Sequence, residues 1–202
     1  MYKRQVVIAG TQARAVERRA DILEAACGLL ASGGTAAVTH RQVAEKAGVP
    51  NGSIRYYFAT RDALLRACVE DIEARRDAEA QRALAEASAD PDRPSAEVTA
   101  QRMLRVITGK GLGDEELRGT LCWLVDTTRE NAELATVLAE ERVRLEAQAR
   151  ELLRLSGFTT IPAELVISLG EGVMFKLHVE NRSGIARETV AAMAELLSYR
   201  RD

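Results

Sequence analysis

Cysteine, histidine, proline and aromatic residues are scarce in this sequence. Its 202 residues include three Cys, two His and four Pro, and Phe, Trp and Tyr together make up only 4%. Cys27, Cys68 and Cys122 are odd in number, far apart and without a Cys-x-x-Cys spacing, which speaks against a disulfide framework and a structural zinc site. All three sit in apolar, helix-prone surroundings, so the expectation is three buried, inert thiols. His40 and His178 fall in no His-x-x-x-His or Glu-x-x-His pattern, and neither a metal nor any other cofactor is expected. No apolar run approaches the roughly 18 residues of a membrane span, and Val6 to Gly10 is too short for the core of a secretory signal. The expected address is cytoplasmic, without a membrane partner. Few prolines and mostly scattered glycines exclude collagenous and wholly disordered classes.

What is abundant is Ala, Leu, Glu and Arg, within an apolar share of 47% and a charged share of 29%. With so few aromatics, that composition predicts an all-α fold and not a sandwich or barrel. The length suits one or two domains with a real core. The net charge of −2 is unevenly placed. Residues 1–66 hold ten Lys/Arg against five Asp/Glu, a net of +5, which leaves −7 for the rest. A basic N-terminal module on an acidic body is the footprint of a polyanion binder.

Residues 1 to about 12, with Lys3 and Arg4, read as an arm without a helical stripe. A helix follows to about Ser32, with Ile22, Leu23, Ala26, Leu29 and Leu30 on one face. Gly33-Gly34 stops it. Thr39 stands as N-cap of a helix over residues 40–46, with Gln42 where a capping box wants Glu or Gln. Ala47-Gly48-Val49-Pro50 breaks that helix, and a short one spans Asn51 to Tyr57. A long helix runs from about residue 61 to 87, and Ser88 to Ser95, with two prolines, is a connector. Helical segments at 96–108, 114–130, 132–156, 161–181 and 186–200 complete the chain, with Pro162 in the first turn of the fourth.

Two short helices joined by a tight turn make a helix-turn-helix. Ala44 is small where the helices cross, Gly48 supplies the turn, and Val49, Ile54 and Phe58 anchor the second helix. At about 100° per residue, Gly52, Arg55 and Tyr56 point away from Ile54, toward a groove, and Tyr57 lies at the edge. Gly52 permits close backbone approach. Arg55 suits a bidentate contact to guanine or a phosphate clamp.

The stretch Arg19-x-x-Ile22-Leu23-x-x-Ala26 … Gly34 … Thr39-x-x-x-Val43-Ala44-x-x-Ala47-Gly48-Val49-x-x-Gly52-Ser53-Ile54-x-x-Tyr57-Phe58-x-x-Arg61-x-x-Leu64 resembles the DNA-binding domain of TetR-family transcriptional regulators. The resemblance covers about residues 15–66. The chain departs from it with Arg55 where the family commonly has Tyr and Arg61 where it commonly has Lys. It implies an N-terminal three-helix helix-turn-helix domain over residues 1–66, arm included, and a C-terminal helical ligand-binding and dimerisation domain over 67–202. Thr39 and Arg41 would then lie near backbone phosphates, and Asn51, Gly52, Ser53, Arg55 and Tyr56 would line the recognition helix. Tyr57 and Arg61 would bind phosphate, with Lys3, Arg4 and Arg14 adding contacts. The last two helices would build a four-helix dimer interface through Val166, Leu169, Val173, Leu177, Val190, Met193 and Leu197, with Gly170 and Gly172 permitting close approach. A small-molecule effector would be lined by Met103, Ile107, Trp123, Thr127, Leu145, Phe175 and His178, with Arg129 and Glu171 as further polar candidates.

The function so implied is a ligand-responsive repressor, a homodimer on a palindromic duplex operator. Two other classes are open at this point. A sequence-indifferent architectural DNA binder calls for a more basic chain. An enzyme would have to use Cys122 with His178, for which no third orienting group or oxyanion loop is evident, so no catalytic residue is expected.

Overall fold

The computed structural model describes residues 2–109, 111 and 113–199, with side chains from residue 14 onward. Among the described residues every regular element is helical: α1 (Tyr2–Ala37), α2 (His40–Ala47), α3 (Asn51–Tyr57), α4 (Arg61–Ala89), α5 (Ala96–Thr108), α6 (Asp114–Glu130), α7 (Ala132–Ser156), α8 (Ala163–Val179) and α9 (Ile185–Ser198). The chain divides into two compact units, Met1–Glu70 and Asp71–Asp202, the division falling inside α4; the sequence reading sets it at 66/67.

In the first unit the inner stripe of α1 is buried at Ile22, Ala26 and Leu30, against Val43, Ile54, Phe58, Leu64 and Leu65. The segment expected as an arm is, from Tyr2, the start of α1; it holds no proline, and no glycine before Gly10, so nothing in it interrupts a helix. The side chains of Lys3 and Arg4 lie outside those described. Gly34 takes a positive φ of 65° with ψ −168° and breaks the helix at the Gly33-Gly34 stop that the sequence predicts. Cys27 and Cys68 are buried as expected, the Cys27 thiol facing the Cys68 carbonyl.

In the second unit α5, α7, α8 and α9 enclose a core that includes Met103, Leu152, Phe158, Ile167 and Met193. Gly170 of α8 lies against α9: a Cβ there would stand 3.1 Å from the Met193 sulfur. Gly172 faces open space. The close approach expected between subunits is thus, at Gly170, a contact inside one chain.

Several helix starts use side chains that the sequence reading did not single out. Ser95 caps α5 and Asn131 caps α7 by accepting from the amides of Val98 and Leu134. Pro162 is the N-cap of α8, not a first-turn residue. The start of α9 is capped from a distance: the Asp114 carboxylate accepts from the amides of Gly184 and Ile185 at 2.7 and 2.9 Å. These two bonds hold the Asp114 carboxyl below the ordinary carboxylate range.

A buried polar cluster joins α4 to α5 and α7. Arg76, only 4% exposed, donates to Glu73 at 2.7 Å, to the Gln148 side-chain oxygen at 3.0 Å and to the Val106 carbonyl at 3.3 Å. Gln148 in turn donates to Asp77. Beside them Arg105 bridges Glu79 and Glu86. Burial pushes the Glu79 carboxyl up, and the hydrogen bonds from Arg105 and Arg82 outweigh it and leave it lowered.

Candidate nucleic-acid interface

The motif is built from local rules. The Thr39 hydroxyl accepts from the Gln42 amide at 3.2 Å, which starts α2 as the sequence predicts. The capping box does not close in its usual form. The Thr39 hydroxyl donates to the Gln42 side-chain oxygen, while the Thr39 amide donates to the Ala37 carbonyl. Gly48 ends α2 with φ 64° and ψ 34°, donating to the carbonyls of Ala44 and Glu45. Pro50 then stands before α3, where its missing amide removes nothing from the ladder.

α3 is anchored from below. Ile54 is fully buried and Val49 and Phe58 nearly so. Arg19 of α1 lies over the Phe58 ring at 4.9 Å, a packing contact that the sequence reading did not identify. Asn51, Gly52, Arg55 and Tyr56 are exposed on the other side, Tyr56 at 81%. Nothing would lie within 4 Å of a Cβ at Gly52, so a duplex backbone or base edge can approach there. Ser53 and Tyr57 are half-buried, and the two tyrosine rings meet edge to face at 5.0 Å. Arg41 is exposed in the first turn of α2, and Arg14 is exposed on α1.

Arg61, expected at a phosphate, is engaged within its own chain. Its Nε donates to the Val38 carbonyl at 3.0 Å and its Nη2 to the Thr35 carbonyl at 2.5 Å. The guanidinium is engaged by the turn that precedes α2. Its planar fork matches two carbonyls better than a point charge would.

The other candidates lie in the second unit. Of the seven interface residues, Val166, Leu177, Met193 and Leu197 are buried in their own chain, while Leu169, Val173 and Val190 are half-buried. The outer side of α8 instead exposes Leu165, Gly172, Phe175 and Val179. Among the pocket residues, Met103, Ile107, Trp123, Thr127 and Leu145 are buried. The Thr127 hydroxyl is enclosed without a hydrogen-bond partner. Phe175 is 59% exposed. Glu171 is committed to Arg142, which raises the Arg142 pKa, and Arg129 is exposed. An open groove of about 290 Å³ lies elsewhere, between the end of α7 and the turn before α8, among Arg150, Arg154, Phe158, Thr159 and Ile161.

Cys122 is exposed, not buried. Its position on the outward side of α6 overrides the apolar character of its neighbours. The structure does bring it to His178, with 3.8 Å between Sγ and Nε2. No group of three or more His, Cys, Asp or Glu able to hold a metal occurs among the described residues, and no helix among them is long and apolar enough to cross a membrane.

Comparison with known proteins places this geometry. The family model for bacterial regulatory proteins of the tetR family matches residues 22–68. No curated protein matches the chain. Among solved structures, a Rhodococcus sp. protein described as a TetR-family transcriptional regulator is 22% identical, with 93% of this chain and 100% of that one covered and a TM-score of 0.65. The multidrug binding protein EbrR complexed with proflavin is 22% identical, covering 89% and 99%, with a TM-score of 0.55. A Saccharomonospora viridis transcriptional regulator in complex with choline is 18% identical, covering 92% and 98%, with a TM-score of 0.66. At these identities the likeness is one of fold.

Proposed function

We propose that this chain, whose residues 22–68 match the model for bacterial regulatory proteins of the tetR family, is a ligand-responsive repressor that binds a palindromic operator as a homodimer. The observation that carries the reading is the polarity of α3. Ile54 is sealed inside while Asn51, Arg55 and Tyr56 stand outside, which is what a recognition helix in a major groove requires. Arg41 and Tyr57 supply phosphate contacts, and with them a salt-dependent affinity. Arg55 and Tyr56 supply the sequence choice.

One short helix reads only a few base pairs, so useful specificity calls for two half-sites and a symmetric partner. The exposed Leu165, Gly172, Phe175 and Val179 on α8 are the surface for that partner. The effector is a small organic molecule, a class to which the proflavin complexed with EbrR and the choline in complex with the Saccharomonospora viridis protein belong. It acts by binding one of two dimer forms better than the other, and only that difference moves the equilibrium.

The test is selection of bound sequences from a random duplex pool, followed by release assays with small organic molecules, proflavin and choline among them. An enriched palindrome, lost in the Arg55→Ala variant, is expected. A pool that returns no preferred sequence refutes the reading, and a palindrome that no compound releases removes the effector from it.

A further inference from the structure

The turn between α1 and α2 is where Arg61 acts. Gly34 breaks α1 with a positive φ, and the chain then turns through Thr35 to Val38 before Thr39 caps α2. Carbonyls at such a helix end lack intrahelical partners and carry the negative end of the helix dipole. The Thr35 carbonyl receives the Val38 amide at 3.1 Å and also the Arg61 Nη2 at 2.5 Å. The Val38 carbonyl receives the Arg61 Nε at 3.0 Å. Val38 is fully buried and Thr35 nearly so, so water is a poor substitute donor there. Arg61 itself is fixed at the first residue of α4, whose start is held by the Thr60 hydroxyl accepting from the Ala63 amide at 3.0 Å.

We infer that Arg61 is a positioning residue for the DNA-binding surface, and not a phosphate anchor. Its guanidinium caps the end of α1 from the start of α4 and so sets where Thr39 launches α2. Through the Gly48 turn, that also sets where α3 presents Arg55 and Tyr56. The inference rests on the DNA-binding reading above and adds a determinant of its geometry.

Two properties separate a positioning role from a phosphate contact. A phosphate contact depends on charge, so lysine serves it, and its loss lowers the slope of log affinity against log salt by about one. A cap spanning two carbonyls depends on the planar fork, which lysine lacks.

The experiment uses the full-length protein and the duplex enriched by selection. Operator affinity is measured for wild type and Arg61→Lys across a salt series, with hydrogen exchange followed at residues 35–39. The expected result is an affinity loss of about tenfold in Arg61→Lys, an unchanged salt slope, and faster exchange at the Val38 and Thr39 amides. Wild-type affinity in Arg61→Lys, a reduced slope, or unchanged exchange would each overturn the inference.

A second measurement does not depend on the variant folding. In wild type, the nitrogen-15 signal of the Arg61 Nε–H is expected to be protected from solvent without DNA and to keep its position when the duplex is added. A signal that is unprotected, or that shifts on binding, overturns the inference. If wild type binds no selected duplex at all, the functional reading fails first, and the protection of that signal still decides whether the cap exists.

Discussion

Replacing Arg76 by Met tests how the second unit is held together. Arg76 is 4% exposed and makes hydrogen bonds to Glu73, Gln148 and the Val106 carbonyl at 2.7, 3.0 and 3.3 Å, with Glu141 at 3.6 Å. Methionine keeps much of the length and none of the donors. Removing one member of a fully buried charge pair costs about 3–5 kcal/mol, because the other charge is left unpaired. Here Glu73 and Glu141 retain 13% and 16% side-chain exposure, and Glu141 keeps Arg144. The penalty is therefore trimmed to about 2–3 kcal/mol. The matched control is Arg82→Met. Arg82 pairs with Glu79 at 2.8 Å but is 64% exposed, and Glu79 retains Arg105, so the expected cost is below about 1 kcal/mol. Trp123 is the chain's only tryptophan and is buried in the second unit, so its fluorescence in a urea titration reports on that unit. A clear fall in the midpoint for Arg76→Met and little change for Arg82→Met is the expected pair of results. Equal effects, or an Arg76→Met midpoint at the wild-type value, would refute the account of the cluster.

Acid should loosen the start of α9. Folding lowers the Asp114 pKa from its ordinary value of 3.8 through the amides of Gly184 and Ile185. That contribution is present above the ordinary value and is lost as pH falls through the lowered one. In thermal scans the melting-temperature gap between wild type and Asp114→Asn should be widest near neutrality and close in acid; a gap independent of pH would contradict the cap. Thiol labelling of the native protein should modify Cys122 alone, with Cys27 and Cys68 reacting only after denaturation; native labelling of all three would contradict the burial pattern. On the proposed homodimer, Phe175→Glu should shift sedimentation toward monomer with the fold retained, because the side chain is exposed in the chain itself. A dimer that survives it would move the interface off α8.

Much of the fold was legible because it is written in short-range rules. Capping at Thr39, the glycine turn at Gly48 and the period of Ile22, Ala26 and Leu30 each depend on neighbours within a turn or two, and the structure places all three as the sequence reading does. The exposed side of α3 followed from the same arithmetic. What escaped was tertiary. The guanidinium of Arg61 meets carbonyls more than twenty positions away, and Asp114 caps a helix seventy positions on. A charged side chain beside a helix start reads identically whether it faces a phosphate or a carbonyl, until the turn that it meets is placed.

The apolar residues of α8 show a more general limit. Val166, Leu169, Val173 and Leu177 form a regular stripe, the one that the resemblance assigns to a second chain. Intramolecular packing has first claim on such a stripe. It is available at every protein concentration, so the side that interlocks best is covered by the chain's own α9, with Gly170 against Met193. A helix apolar on most of its circumference is expected to be covered on most of it. What remains uncovered on α8 is the second set, Leu165, Phe175 and Val179, left over once the core is complete. An association surface on an all-helical chain is therefore better sought in the apolar residues that the best stripe omits.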